Sequence, residues 1–414
     1  MARMPDEATI ENAYLYLLGR ALVIRQEHLD RRSPGFAYNQ IKYNPLGSAD
    51  FVNPNFDVAY LEAWFATDER TAVELTVPEI QGRYYTAQIL DEWGEVIVNI
   101  NERNFPSKPF GRFALVSPGW RGDLPSAVTP IVLHSNKAKL LGRVELKGDP
   151  DGAIKLQQAF TVSTLGNPII SAPPFVTNFG NQELIGAEIF DDLDNRLLSA
   201  ADVSPNAAAM QQQARAIADY LAAAPDGRAE LDKLLHEQIV PKFIEFAVRK
   251  SAPYRNHWVG GGKVGTYGGD YRLRSVANYM GIWANTADEV VYFVATRDAE
   301  EAPLDGSSNY SIRFEPDNLP SAVVNSYWSV ILVGVPDYRV VPNELSRYNF
   351  NSYSGLQLGA DGSLTIGIGP KQPPDIPVSN WLPSPPGKPF SLTFRTYVPN
   401  EKIAGWAPPP VTRV

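Results

Sequence analysis

The sequence predicts an α+β fold, mainly β, with two antiparallel β-sandwich domains, an N-terminal helix and a helical middle segment. Three observations carry this. Between residues 74 and 148, short runs rich in β-branched and aromatic residues alternate with Gly, Pro and Asp turns. From Asn178 to Lys250 the apolar period lengthens to that of a helix. After a Gly-rich stretch, GGGKVGTYGGD, the strand pattern returns.

Each element follows from its residues. Asp6 and Glu7 open a helix in which Ile10, Ala13, Tyr14, Leu17, Leu18, Ala21 and Leu22 recur at i, i+3 and i+4. That single apolar face is expected to lie on the first sheet. ELTVPEI, RYYTAQILD, EVIVNI, FALVSP, TPIVLHS and KLLGRVELKG read as the strands of a first sandwich. In the middle, Phe190, Leu193, Leu197 and Leu198 share a helix face, and Ser204 with Pro205 begins the next helix. Pro241 is expected to kink or divide RAELDKLLHEQIVPKFIEFAVRK. VVYFVAT, YSIRF, YWSVILVGV, LTIGIG and FSLTFRTYV read as the second sandwich. A chain of 414 residues exceeds one core, and the pattern divides it at 1–177, 178–268 and 269–414.

The bulk composition excludes several functions. With 37 Lys and Arg against 46 Asp and Glu, the net charge is −9 and no basic stripe is present, which argues against nucleic acid. There is no cysteine, hence no disulfide, thiolate metal site or Cys nucleophile. His28, His134, His236 and His257 are the only histidines, and none pair at ligand spacing, so no His-based metal site is expected. GGGKVGTYGGD lacks the spacing of a phosphate loop, and no G-x-S-x-G element occurs. No cofactor is therefore expected. The N-terminal stretch lacks the features of a signal peptide, and no apolar run approaches the roughly 20 residues that span a bilayer. A soluble, cytoplasmic protein without a membrane partner is expected, exported only if a leader was trimmed. A homo-oligomer stays open.

The densest motifs lie between Gly269 and Trp406: GDYRLRS, PLDGSSNYSIRF, SYWS, SRYNFNS, ADGSLTI, NWLPSPPGKPF and RTYVP. In the N-terminal half, NPNFDVAY, VPEIQGRYYTAQILDEWG, FALVSPGW and LLGRVELKGDPD form a second ordered set. Together these resemble the paired families known as domains of unknown function 1254 and 1214. The resemblance implies β-sandwich, jelly-roll-like domains with accessory helices and no assigned reaction. Val58 and Ser346 stand where the families more often carry Thr and Asn.

Candidate site residues come from these motifs. Asn53, Asn55 and Asp57 alternate, which in a strand puts them on one face with Tyr60 beyond. They read as a general base (Asp57) with orienting amides, or as an Asx-turn network tying a loop to the sheet. Arg83 and Tyr85 share a face and offer a guanidinium and a phenol for a carboxylate or enolate, or a buried ion pair. Tyr85 acts as a base only where neighbouring cations lower its pKa. Arg274 is an anchor for an anionic substrate. Trp328, Arg347, Asn380 and Trp381 form an aromatic–guanidinium set that suits a sugar or locks the fold. His257, beside Trp258, is the histidine nearest a family-like motif and the acid/base candidate among the four.

The function expected is binding of a small organic ligand in a cleft formed by the two sandwiches. As an enzyme it would be metal-independent, running hydrolysis, elimination or isomerisation through Asp57, Tyr85 or His257, with Arg83 and Arg274 stabilising charge. The second reading is a non-catalytic carbohydrate- or envelope-binding protein that uses Trp381. A purely structural role for the motifs is the third.

Overall fold

Asp6 accepts the Thr9 N–H at 2.8 Å and so starts α1, Glu7–Arg31. In this computed structural model, which describes residues 3–47 and 52–414, α1 is buried on nearly every side from Tyr14 to Ile24. The single face expected from the sequence is thus too narrow. A helix apolar all round is a covered helix, and α1 runs between a sheet and two further helices of the same unit. Its C-terminal half meets that sheet through Lys137–Glu27, Lys139–Asp30 and Trp64–Asp30 contacts.

The chain divides into two compact units, residues 1–50, 58–241 and 265–284 in the first, and 51–57, 242–264 and 285–414 in the second. The helical middle therefore does not stand apart as the three-part division has it. Residues 178–241 and 265–284 pack within the first unit, and the NPNFD segment belongs to the second.

In the first unit, strands β1 (Lys42–Tyr43), β2 (Val58–Ala66), β3 (Ala72–Val77), β4 (Tyr85–Leu90), β5 (Val96–Ile100), β6 (Gly111–Val116), β7 (Val128–Val132), β8 (Lys137–Glu145) and β9 (Thr161–Leu165) build two sheets. One has the order β1-β2-β8-β4-β5 and the other β7-β6-β3-β9. All pairs are antiparallel except β6 with β7. Alternation decides the core. Ala59, Leu61, Ala63 and Phe65 of β2 pack with Val73, Leu75 and Val77 of β3 and with Phe113 and Leu115 of β6. Gly142 of β8 lets Leu61 lie flat, since a Cβ there would stand 2.5 Å from Leu61 Cγ. The other face of β2 and β8 carries Tyr60, Glu62, Trp64, Lys137, Lys139 and Arg143, all buried. The register sets Trp64 opposite Lys139 and Tyr60 opposite Arg143.

The helices of this unit are α2 (Pro150–Gln158), α3 (Leu193–Leu198), α4 (Ala207–Ala223), α5 (Gly227–Leu234) and, after α6 (Val240–Arg249), α7 (Tyr271–Gly281). Between α5 and α6 the helix widens into one π-type turn, Leu235–Ile239, just before Pro241. Proline's missing N–H and ring clash with the preceding turn explain the distortion, as expected. α7 docks on α1 through Ser275 Oγ, which donates to Leu15 O at 2.5 Å, and Asn278 Nδ2, which donates to Gly19 O at 3.1 Å.

The second unit repeats the sandwich logic. Strands β10 (Tyr254–Arg255), β11 (Trp258–Gly260), β12 (Val290–Ala295), β13 (Tyr310–Phe314), β14 (Trp328–Gly334), β15 (Asn349–Asn351), β16 (Leu364–Gly369), β17 (Trp381–Pro383), β18 (Phe390–Tyr397) and β19 (Thr412–Arg413) form its sheets. Their orders are β10-β11-β12-β18-β14-β15 and β17-β16-β13-β19, with only β16–β17 parallel. Phe394, Trp328, Val330, Ile312, Phe314 and Ile366 fill the core. Among the described residues, no helix is long and apolar enough to cross a membrane.

Candidate functional site

The charged outer face of β2 and β8 lies under α1, and there the first unit opens a pocket of about 130 Å³. Asp30, Phe36, Lys42, Glu62, Trp64 and Lys139 contribute to its lining. Lys139 is at the centre. Its ammonium donates to Glu62 Oε2 at 2.8 Å and to Asp30 Oδ2 at 2.9 Å. It also lies 5.4 Å from the Trp64 ring centroid and 5.8 Å from that of Trp283. Burial alone would lower its pKa, but the two carboxylates overcome this and hold it above the ordinary lysine value. Lys139 is thus a fixed cation, not a base. The carboxylates are themselves oriented: Trp64 Nε1 donates to Asp30 Oδ2 at 2.8 Å, Gln26 to Asp30 Oδ1 at 2.7 Å, and Asn44 to Glu62 Oε1 at 2.5 Å. Lys137 and Tyr38 extend the layer by donating to Glu27 Oε1 at 2.8 and 2.6 Å.

The residues singled out from the motifs lie elsewhere. In the first unit, Arg83 donates to Glu145 O, Leu146 O, Asp149 O and Asp149 Oδ2, which fastens the strand end to the cap of α2. Tyr85 is buried and donates to Pro109 O at 3.0 Å; burial raises its pKa, so the lowering that a phenolate base requires is not met. Tyr60 is buried under the Arg143 guanidinium, 5.6 Å from its ring centroid. Arg274 grips both oxygens of Asp202 at 3.0 and 2.9 Å and is buried. Among the described residues, Arg83 and Arg274 share no hydrogen-bond partner.

In the second unit, Asn55 Oδ1 accepts the Asp57 N–H at 2.6 Å, an Asx turn, while its amide donates to Tyr327 and Tyr397. Asp57 is buried; its Oδ1 accepts from Asn349 at 2.6 Å and Asn351 at 2.5 Å. Burial raises its pKa, against the pull of Asn351, Ser329 and Arg395. His257 contacts Glu301 through Nδ1 at 2.6 Å. Trp328 stacks on Phe394 in the core. Arg347 donates to Val378 O and Trp381 O, Asn380 to Gln357 O and Thr365 O, and Trp381 Nε1 to Gly369 O at 3.0 Å. These last contacts join loops to strands. The structure therefore brings Asn55 and Asp57 together, and separately Arg347, Asn380 and Trp381.

Family models match both halves. That described as protein of unknown function DUF1254 covers residues 36–164, and that described as protein of unknown function DUF1214 covers 289–401. The chain carries the DUF1254–DUF1214 pair. Its fold is similar to that of the VPA0106 protein from Vibrio parahaemolyticus, at TM-score 0.64 and 20% identity over 98% of this chain and 99% of that one. An uncharacterised protein from Burkholderia cenocepacia gives TM-score 0.46 at 13% identity, over 96% and 87%. No curated protein matches the chain. Most of the pocket belongs to the DUF1254 region, from Phe36 to Lys139, with Asp30 just before it. Among the described residues, no group of three or more His, Cys, Asp or Glu is placed to hold a metal ion.

Sequence reasoning missed Asp30, Glu62, Trp64 and Lys139. The signal was present as a charged alternation in β8 (Lys137, Lys139, Arg143, Glu145), which reads as a solvent face unless α1 is recognised as a cover.

Proposed function

We propose that this DUF1254–DUF1214 protein binds a small, neutral, hydroxyl-bearing organic molecule in the first-unit pocket, through side chains alone. One observation carries the reading: a lysine and two carboxylates are buried together beside an indole at the wall of a cavity. Desolvating such a triad costs several kcal/mol per ion, and an apolar replacement of like volume is often as stable or more so. A floor built only for stability has no need of it. Chemistry of recognition is a reason to keep it.

The charges also narrow the ligand. Asp30 and Glu62 are balanced by Lys42 and Lys139 in the lining, so the pocket offers no net charge to draw an anion or a cation, and Lys139 already fills the space between Trp64 and Trp283 where a ligand cation would stack. Carboxylate lone pairs accept hydroxyl protons, and Lys139 has three N–H donors of which the two carboxylates take two. A cavity of about 130 Å³ suits a compact polyol or small sugar.

The test is titration of the whole chain with a panel of neutral polyols, monocarboxylates and primary amines, read by tryptophan fluorescence and ligand-observed NMR. A neutral polyol is expected to bind, with affinity lost in Glu62→Gln and Lys139→Gln. Absence of binding in all three classes, or binding that both folded variants leave unchanged, overturns the proposal.

A further inference from the structure

A second cluster of the first unit shares no residue with the pocket lining. His134 follows β7, and its Nδ1 lies 2.8 Å from Asp91 Oδ2. Asp91 is in the β4–β5 connection, where its Oδ1 accepts the backbone N–H of Trp93 at 2.8 Å and of Glu95 at 2.9 Å. The turn thus holds the carboxylate rigid while its second oxygen faces the imidazole. Asp91 is 1% exposed and His134 27%. An ionised carboxylate only accepts, so Nδ1 carries the proton and Nε2 is the nitrogen left to act. This is the geometry by which a buried carboxylate fixes tautomer and orientation of a general base.

We propose that His134 is a general base, positioned by Asp91, for water attack on a neutral ester. His134 Nε2 takes a proton from water as the water oxygen bonds to the carbonyl carbon and the carbonyl pair moves to its oxygen. Collapse of the tetrahedral species breaks the bond to the alkoxy group, which leaves with the proton returned from Nε2, giving a carboxylic acid and an alcohol. The surroundings select the substrate's charge. Asp91 and Glu95 from the β4–β5 connection and Asp202 from the segment before α4 all act on His134, and the nearby Arg274 of α7 is committed to Asp202. An anionic ester meets net repulsion there.

The Asp91 contact raises the His134 pKa, so the base form is gained later in a rising pH series. Hydrolysis of 4-nitrophenyl acetate by the whole chain is expected to saturate and to rise with pH through that ionisation. His134→Gln should lower kcat by about 100-fold. Asp91→Asn keeps Oδ1 for the Trp93 and Glu95 amides but turns an amide N–H toward Nδ1, which moves the imidazole proton to Nε2. Its kcat should fall by at least about 100-fold, and the residual activity's profile should move to lower pH, a shift that a merely structural role does not produce. The anionic hemisuccinate ester should give kcat/KM at least about tenfold lower. Turnover no faster than buffer, or wild-type turnover in folded His134→Gln, overturns the proposal; an unmoved profile in Asp91→Asn removes Asp91 from it.

Discussion

The Arg274 guanidinium meets both carboxylate oxygens of Asp202, at 3.0 and 2.9 Å, with each side chain 1% exposed. The pair joins α7 to the segment leading into α4, and the guanidinium also lies over Trp93, 4.6 Å from a ring centroid. Burial opposes ionisation of Asp202, but Arg274 holds its carboxyl below the usual range. Truncating one partner leaves an uncompensated buried charge. Arg274→Ala should therefore lose about 3–5 kcal/mol in denaturant unfolding, and Arg274→Met with Asp202→Leu should regain most of it. A loss under about 1 kcal/mol in the single variant would show that water reaches the pair.

Gly19 packs directly against Ser275 of α7. A Cβ at residue 19 would lie 2.8 Å from Ser275 Oγ, which is itself held by Leu15 O. Gly19→Ala raises helix propensity, yet overpacking should dominate and cost about 1–3 kcal/mol. Gly19→Ala with Ser275→Ala removes the clashing oxygen and should recover part of that loss. Thermal unfolding of both proteins checks it, and a stabilised single variant would contradict the close approach.

How far the sequence discloses this molecule depends on whether a signal is local. Many strands of both sandwiches follow from local alternation, as in Leu75 and Val77 or Phe113 and Leu115, though β2 is not among the strands read from the sequence, and the distortion near Pro241 follows from one residue. The family pairing was legible from motif order. What one strand does not reveal is which of its faces another element covers. Lys139 and Glu62 look like solvent-side residues, and only α1, apolar on every side from Tyr14 to Ile24 but for Arg20, contradicts this. Arg83 and Arg347 were chosen as charged residues in motifs, but their donors go mostly to backbone carbonyls, partners that have no sequence signature.

Asp57 supplies a contrast between size and charge. Its Oδ1 receives two asparagine amides, and burial favours its protonated form. Asp57→Asn retains an acceptor oxygen and adds no charge, so its stability should stay near that of the parent. Asp57→Ala takes the acceptor from the half-buried Asn349 and Asn351 amides, at roughly 1 kcal/mol for each hydrogen bond lost. Parallel urea titrations of the two variants decide the point. Equal losses would mean that the carboxylate charge, not its acceptor oxygen, holds the segment.

Glu95 should govern part of the pH dependence of stability. Burial pushes its pKa from 4.5 up to about 7, with Asp91 and Asp202 adding to the rise and the Tyr267 amide and Arg274 opposing it. In this range the folded chain holds the proton that the unfolded chain has released. Stability therefore falls as pH rises from about 4.5 to about 7, and the penalty is complete above that. Glu95→Gln cannot ionise and keeps an oxygen for the Tyr267 N–H, which Glu95 Oε2 accepts at 3.0 Å. Its stability relative to wild type should be close to unchanged at about pH 5 and should increase by about pH 8. Glu92, also raised to about 7 by burial, is present in both proteins and cancels in the difference. A difference between the urea midpoints that is constant with pH, or largest in acid, would show that Glu95 ionises as freely in the folded chain as in the unfolded one.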